Sequence, residues 1–111
     1  MQTTMTRDEF IIEIENFYKE GVSLIKKKNA DYCGDDDPFK NFMLAEHIGF
    51  ASAENSIGVR MSDKLSRVAT LLKQDAEVSE ETIRDTLIDL ANYAAILCAY
   101  VTNEKGKETG N

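Results

Sequence analysis

The C-terminal third of this chain repeats apolar residues at Ile83, Leu87, Leu90, Ala94, Leu97 and Val101. The spacing alternates four and three, which puts all six on one stripe of an α-helix. That alternation is the seam spacing of packed helix bundles. It predicts a helix capped by Ser79, with Glu80 and Glu81 in its first turn, whose seam faces a bundle core. The seam ends near Val101. From Glu104 the chain turns to Gly, Lys and Glu, which reads as a frayed tail.

The segments upstream carry the same period. Thr6 and Glu9 form a T-x-x-E capping box before a helix expected over Arg7 to Lys28. Phe10, Ile14, Phe17 or Tyr18, Val22 and Ile25 share one of its faces, and Lys26, Lys27 and Lys28 suit a solvated helix end. Asn29 to Asp37 reads as a loop. A short helix is expected from Pro38 to about Ile48, with Phe39, Phe42, Met43 and Ile48 inward and Gly49 ending it. A third helix is expected from Ser52 to Gln74, with a seam of Ile57, Met61, Leu65, Val68 and Leu72. Gly58 inside it costs about 1 kcal/mol against Ala, so either a neighbouring helix or a ligand is expected to approach there. The short connection at Asp75 to Val78 makes the last two helices an antiparallel hairpin. The fold class is therefore all-α: a small helical bundle with a long antiparallel hairpin, one domain over 1–103, and a flexible tail over 104–111. With 111 residues the core is modest, and completion by homo-oligomerisation is expected.

Charge narrows the function. A net charge of −7 argues against general nucleic-acid binding, which needs a basic field. No stretch approaches the roughly 20 apolar residues needed to span a membrane, and the N-terminus lacks an apolar signal region, so a cytoplasmic protein is expected. Cys33 and Cys98 suggest neither a disulfide framework nor a zinc site, and Cys98 reads as a small core residue. His47 is the only histidine, and nothing pairs it with a nucleophile.

Against that acidic background, Arg60, Lys64 and Arg67 share one face of the third helix, and Asp85 and Asp89 share one face of the fourth. Both sets run beside apolar stripes, where charge must be paired or used to hold a ligand. Two readings follow. Either the cations pair internally with Asp63, Asp85 and Asp89, or they hold phosphates while Asp85 and Asp89 hold Mg²⁺. Glu81 and Glu54 are further candidate ligands, and Glu81 is the least poor choice of general base. Asn92 and Tyr93 follow the acids by one turn and are candidates to touch a ligand. In N-A-D-Y-C-G-D-D-D-P-F-K-N-F, Asp31, Tyr32, Phe39 and Asn41 are candidates to hydrogen-bond or stack on a base, while Phe42 reads as a core anchor. Asp35 to Asp37 lack a calcium-loop pattern and read as a solvated cap.

Three segments in order, N-A-D-Y with P-F-K-N-F, then V-R-M-S-D-K-L-S-R, then E-T-I-R-D-T-L-I-D-L-A-N-Y-A, give the chain a family look. From Asn29 to about Ala99 it resembles the nucleotide modification associated domain family, small all-α proteins found largely in bacteriophages. It is also distantly similar to the MazG-like all-α nucleoside triphosphate pyrophosphatases. The resemblance implies handling of nucleotides, including modified ones, in the host cytoplasm. It also implies a Mg²⁺ ion held by acids on paired helices. The E-E-x-x-E of the pyrophosphatases is absent, with Arg60, Asp63, Lys64 and Arg67 in that region. The leading expectation is thus a nucleotide-binding bundle, and as an enzyme it would be a Mg²⁺-dependent pyrophosphohydrolase. The alternatives are a non-catalytic sponge for a nucleotide immune messenger and a structural module for protein contacts.

Overall fold

The computed structural model describes residues 4–33, 37–74 and 80–108. They form four helices and no strand: α1 (Arg7–Cys33), α2 (Lys40–His47), α3 (Ala53–Lys73) and α4 (Glu80–Glu108). The all-α expectation holds.

The sequence sets most of the helix ends. The Thr6 hydroxyl accepts a hydrogen bond from the Glu9 N–H at 3.2 Å, starting α1 as the capping box predicts. Ser52 caps α3 by accepting from the Asn55 N–H at 3.1 Å, and Glu46 Oε1 accepts a longer bond from the Ala53 N–H at 3.4 Å. Two of the first-turn donors of α3 are therefore satisfied. Gly49 follows α2 at φ +82°, a left-handed conformation that favours glycine.

Three boundaries differ from expectation. α1 runs to Cys33, so Asn29 to Cys33 is helix and the lysine run lies inside it, not at its end. The Asn29 amide donates to the Pro38 carbonyl at 2.9 Å, joining the last turns of α1 to the approach to α2. α2 starts at Lys40, because Asp37 and Pro38 lead a turn in which Asp37 accepts from the Phe39 N–H at 2.9 Å. α4 continues through Glu108, over positions read as tail. Asp35, Asp36, the Asp75–Val78 link and the Ser79 cap lie outside the described residues.

α4 is the central helix. It runs antiparallel to α3: Lys64 meets Asp89, while Ala53 and Ile57 share a cluster with Tyr100. It runs parallel to α1: Arg84 reaches Glu13 and Glu20, and Asn92 reaches Gly21. α1 and α3 do not meet. The core lies at the end closed by α2, where Phe42 packs with Ala53, Ile57 and Tyr100, and Phe39, Tyr93 and Ile96 lean on it. Phe39 stands edge-on to Tyr100 at 5.2 Å, and Phe42 edge-on to Tyr93 at 6.3 Å. Full burial of Ile57 contributes roughly 1.5–3 kcal/mol. The molecule is long, 54 × 30 × 25 Å, with a radius of gyration of 16.9 Å against about 13 Å for a compact domain of this length.

Several seam residues point away from the core. On α3, Ile57 and Val68 are buried, but Leu65 and Leu72 are 59% and 66% exposed. On α1, Phe10, Ile14, Tyr18 and Val22 are exposed. On α4 the inward residues are Thr86, Ile88 and Tyr100, while Leu87, Ala94 and Val101 face out. Cys98 is exposed as well, not a core residue. A seam read from spacing shows that a stripe exists, not which neighbour covers it.

Gly58 meets no atom within 4 Å of where a Cβ would stand, so no neighbouring helix of this chain approaches it. Gly58→Ala should stabilise the chain by up to about 1 kcal/mol, a rise of several degrees in thermal midpoint by calorimetry. A lower midpoint would show an approach at Gly58 that these helices do not make. Burial raises the Tyr100 phenol pKa, with Glu104, Glu46, Glu54 and Asp37 adding to the rise. The folded state then holds this proton more tightly than the unfolded state, whose tyrosine titrates near 10.0. Stability is complete below that pH and falls as pH rises through it. Urea midpoints should show this alkaline loss, and Tyr100→Phe should reduce it.

Candidate functional site

The groove between α1 and α3, floored by α4, collects most of the predicted charges. Asp89 stands in it between two helices. Its Oδ1 lies 3.3 Å from Lys28 Nζ of α1, and its Oδ2 lies 3.4 Å from Lys64 Nζ of α3. The carboxylate is 20% exposed, so it is partly screened, and each pair is worth about 0.2–1 kcal/mol. Because α1 and α3 do not touch, Asp89 is the link through which both are held at this level.

Three hollows adjoin one another on α4 through shared lining residues, the first against α3 and the other two against α1 and α2. The first, about 300 Å³, is lined by Lys64, Arg67, Thr82, Asp85, Thr86 and Asp89. The second is narrow, about 70 Å³, and lies under α2, where Asp89 is joined by Lys28, Asn29, Asn41, Asn92 and Tyr93 over Phe42 and Ile96. The third, about 510 Å³, shares Ile25, Asn29 and Ile96 with the second and is walled by Lys26, Ala30, Pro38, Phe39, Ala95 and Ala99. Charge therefore gives way to amides and a phenol, and then to a mostly apolar wall with Lys26 in it. The first hollow and Lys28 together carry three cations and two carboxylates, a net positive patch on a chain of charge −7.

The predicted residues divide as follows. Lys64, Arg67, Asp85, Asp89, Asn41, Asn92 and Tyr93 line the first two hollows. Phe39 lines the third and also packs on Tyr100. Arg60 and Asp31 are exposed and line none of these three hollows. The side chains of Tyr32 and Glu81 lie outside the described set. Asn92 spends its amide donor on α1, donating to the Gly21 carbonyl at 3.1 Å. Its Oδ1 lies 3.0 Å from where a Cβ on Gly21 would stand. The glycine lets the two helices close beside the site. Of the internal pairings weighed from sequence, Lys64–Asp89 forms; among the described residues neither Arg60 nor Arg67 is in an ion pair.

Sequence reasoning missed Lys28, read as part of a solvated helix end. A signal was present: Lys28 continues the alternating four-three stripe Phe10, Ile14, Phe17, Gly21, Leu24. A cation on an apolar stripe sits beside the neighbouring helix. Arg84 was also missed. It donates to Glu20 at 2.8 Å, lies 3.7 Å from Glu13 and stacks 5.9 Å from the Phe17 ring. Its pKa is raised, first by the hydrogen bond to Glu20 and then by the charges of Glu20, Glu13 and Asp85. It fastens α1 to α4 outside the groove.

The described side chains suit Mg²⁺ poorly. Both Asp89 oxygens already face an ammonium, and among the described residues Asp85 is the only other carboxylate in the hollow and no cluster of three His, Cys, Asp or Glu occurs. A divalent ion would have to displace two lysines to use Asp89.

No protein-family model, curated protein or solved structure matches this chain. No described helix is long and apolar enough to cross a membrane.

Asp89→Asn should remove both ion pairs and leave Lys28 and Lys64 facing each other. The expected cost is about 1 kcal/mol, largest at low salt and reduced at high salt. Urea denaturation at two ionic strengths measures it. Equal losses at both would mean that Asp89 acts through packing and not charge.

Proposed function

We propose that the groove binds a nucleotide, with its phosphates against Lys64, Arg67 and Lys28 and its base toward the apolar end at Phe39 and Pro38. The observation that carries this reading is the order of the three hollows. Asp89 joins the cationic hollow to the amide-lined one, and Ile25, Asn29 and Ile96 join that to the apolar one. A nucleotide has the same order of chemistry: anionic phosphates, a hydroxylated sugar, a flat base. Arg67 is in no ion pair among the described residues and offers a fork for phosphate, and Lys64 and Lys28 add point charges beside Asp89. The resemblance to the nucleotide modification associated domain family points the same way.

Binding without turnover is the form of this proposal the residues favour. Hydrolysis of a triphosphate calls for a metal or a base beside the phosphates. The two lysines on Asp89 argue against a metal there, and Asp85 is the one described carboxylate of the cationic hollow outside those ion pairs that could serve as a base. The chain would then hold a nucleotide intact, as a carrier or a sponge. The pyrophosphohydrolase reading needs Mg²⁺ recruited by Asp85 and the phosphates themselves.

The test is calorimetric titration with nucleoside triphosphates and cyclic nucleotides, in chelator and in Mg²⁺, followed by analysis of heat-released ligand. Binding in chelator and recovery of unaltered nucleotide are expected. Lys64→Ala/Arg67→Ala should lose about tenfold or more in affinity, since each charge-assisted bond contributes about 1.5–3 kcal/mol. Undiminished affinity in that variant would place the ligand elsewhere. Binding and cleavage only with Mg²⁺ would favour the hydrolase, and no binding would leave the ion pairs as structure alone.

A further inference from the structure

α1 carries two apolar stripes, and α4 packs against one of them. Phe17 and Gly21 lie toward α4, beside Arg84 and Asn92. About a quarter-turn around the helix, Ile11, Ile14, Tyr18 and Val22 form a second stripe, and each is between 40% and 61% exposed. A continuous apolar stripe left in water marks a contact surface. The edge of this stripe away from α4 carries Asp8, Glu15, Lys19 and Lys26. All four are exposed, and none is in an ion pair among the described residues. Lys26 also borders the third hollow. Along the helix these charges are spaced seven, four and seven, and their signs run minus, minus, plus, plus. The spacing mirrors itself about position 17 and the signs invert there, so turning the helix end for end puts an acid wherever a lysine stood.

We infer that this exposed face of α1 binds the same face of a second copy of the chain, the two helices packed antiparallel about position 17. A two-fold sets the same flank of both copies together. Asp8 of each copy then meets Lys26 of the other, and Glu15 meets Lys19, so every charge on the flank faces its opposite. Beside them Ile11 packs toward the other copy's Val22, and Ile14 toward its Tyr18. The apolar stripe supplies the area, and the charges fix direction and register. A parallel pair would turn this flank toward the opposite edge of the stripe, which faces α4, and leave its four charges without partners. Two chains of net charge −7 repel each other, and a contact that meets acid with lysine lets them approach. The inference does not rest on the nucleotide reading, since Lys64, Arg67 and Asp89 take no part in it.

Sedimentation velocity on the full chain should give a species of twice 12.5 kDa. Asp8→Lys/Glu15→Lys makes the flank wholly cationic, and Lys19→Glu/Lys26→Glu makes it wholly acidic. Each variant alone should dimerise at least about tenfold more weakly than the wild type, and an equimolar mixture of the two should recover the dimer. Charges acting only within one chain would not respond to mixing. Cross-linking reads the register independently. Tyr18→Cys, in a Cys33→Ser/Cys98→Ser background, should form a disulfide-linked dimer on oxidation. Val22→Cys in the same background should not, because the register separates its two copies by about 15 Å along the axis, beyond disulfide reach. A wild-type chain at single mass across the concentration range overturns the inference. So does a mixture of the two flank variants that stays at single mass, or linkage through Val22→Cys as complete as through Tyr18→Cys. If a flank variant loses helical circular dichroism, the cross-linking result decides.

Discussion

α1 and α3 do not touch each other, and the arrangement of this protein depends on α4, which packs against both, with α2 joining them at one end. Along the rest of their length the two outer helices are placed relative to each other through what α4 offers each of them. To α3 it offers a long antiparallel apolar contact ending in Tyr100. To α1 it offers less grease and more polar chemistry: Arg84 on Glu20, Asn92 on the Gly21 carbonyl, and Asp89 on Lys28. Asp89 belongs to both sets, since it also takes Lys64. The groove exists because the outer helices stand apart, and its mixed charge exists because α4 must hold them from its floor.

That geometry explains why the groove resembles a receptor for an anion more than a metal centre. A lone Asp85–Asp89 pair would attract a divalent cation. Lysines from either side turn Asp89 into a spacer that holds cations in place for something else. Asn92 is likewise committed to the helix–helix joint, so the polar surface facing a ligand comes mainly from Lys64, Arg67 and Tyr93. The site is built from residues that already help to hold the helices together, and binding and folding are coupled through them.

Helix existence, the α1 cap and the α3–α4 hairpin were legible because they rest on local rules: T-x-x-E at Thr6, glycine after α2, and apolar spacing. The facing of Lys64 and Asp89 was legible because a short link permits little else. Where the seams point was not. Leu65, Leu72, Leu87 and Val101 satisfy the same periodicity as Ile57 and Val68, and periodicity carries no information about which side has a neighbour. The end of α1 was misplaced because Asn, Asp and Gly near 29–37 read as a loop, whereas the turns through Cys33 persist with Asn29 bonded to Pro38. The role of Lys28 needed the parallel pairing of α1 and α4, and nothing local in either segment specifies it.

Parallel pairing of α1 and α4 has a kinetic consequence. Their joining contacts connect residues 61 to 71 positions apart in the chain, whereas α3 and α4 are neighbours in sequence. Loop closure makes distant contacts slower to form. The hairpin is thus the natural nucleus, and α1 is the element that docks last and detaches most readily. Its amides should exchange with solvent through sub-global openings well before those of Ile57 or Ile88. Each such opening carries Lys28 away and leaves Asp89 with Lys64 alone, so the entrance to the groove widens by the same fluctuation that loosens the fold.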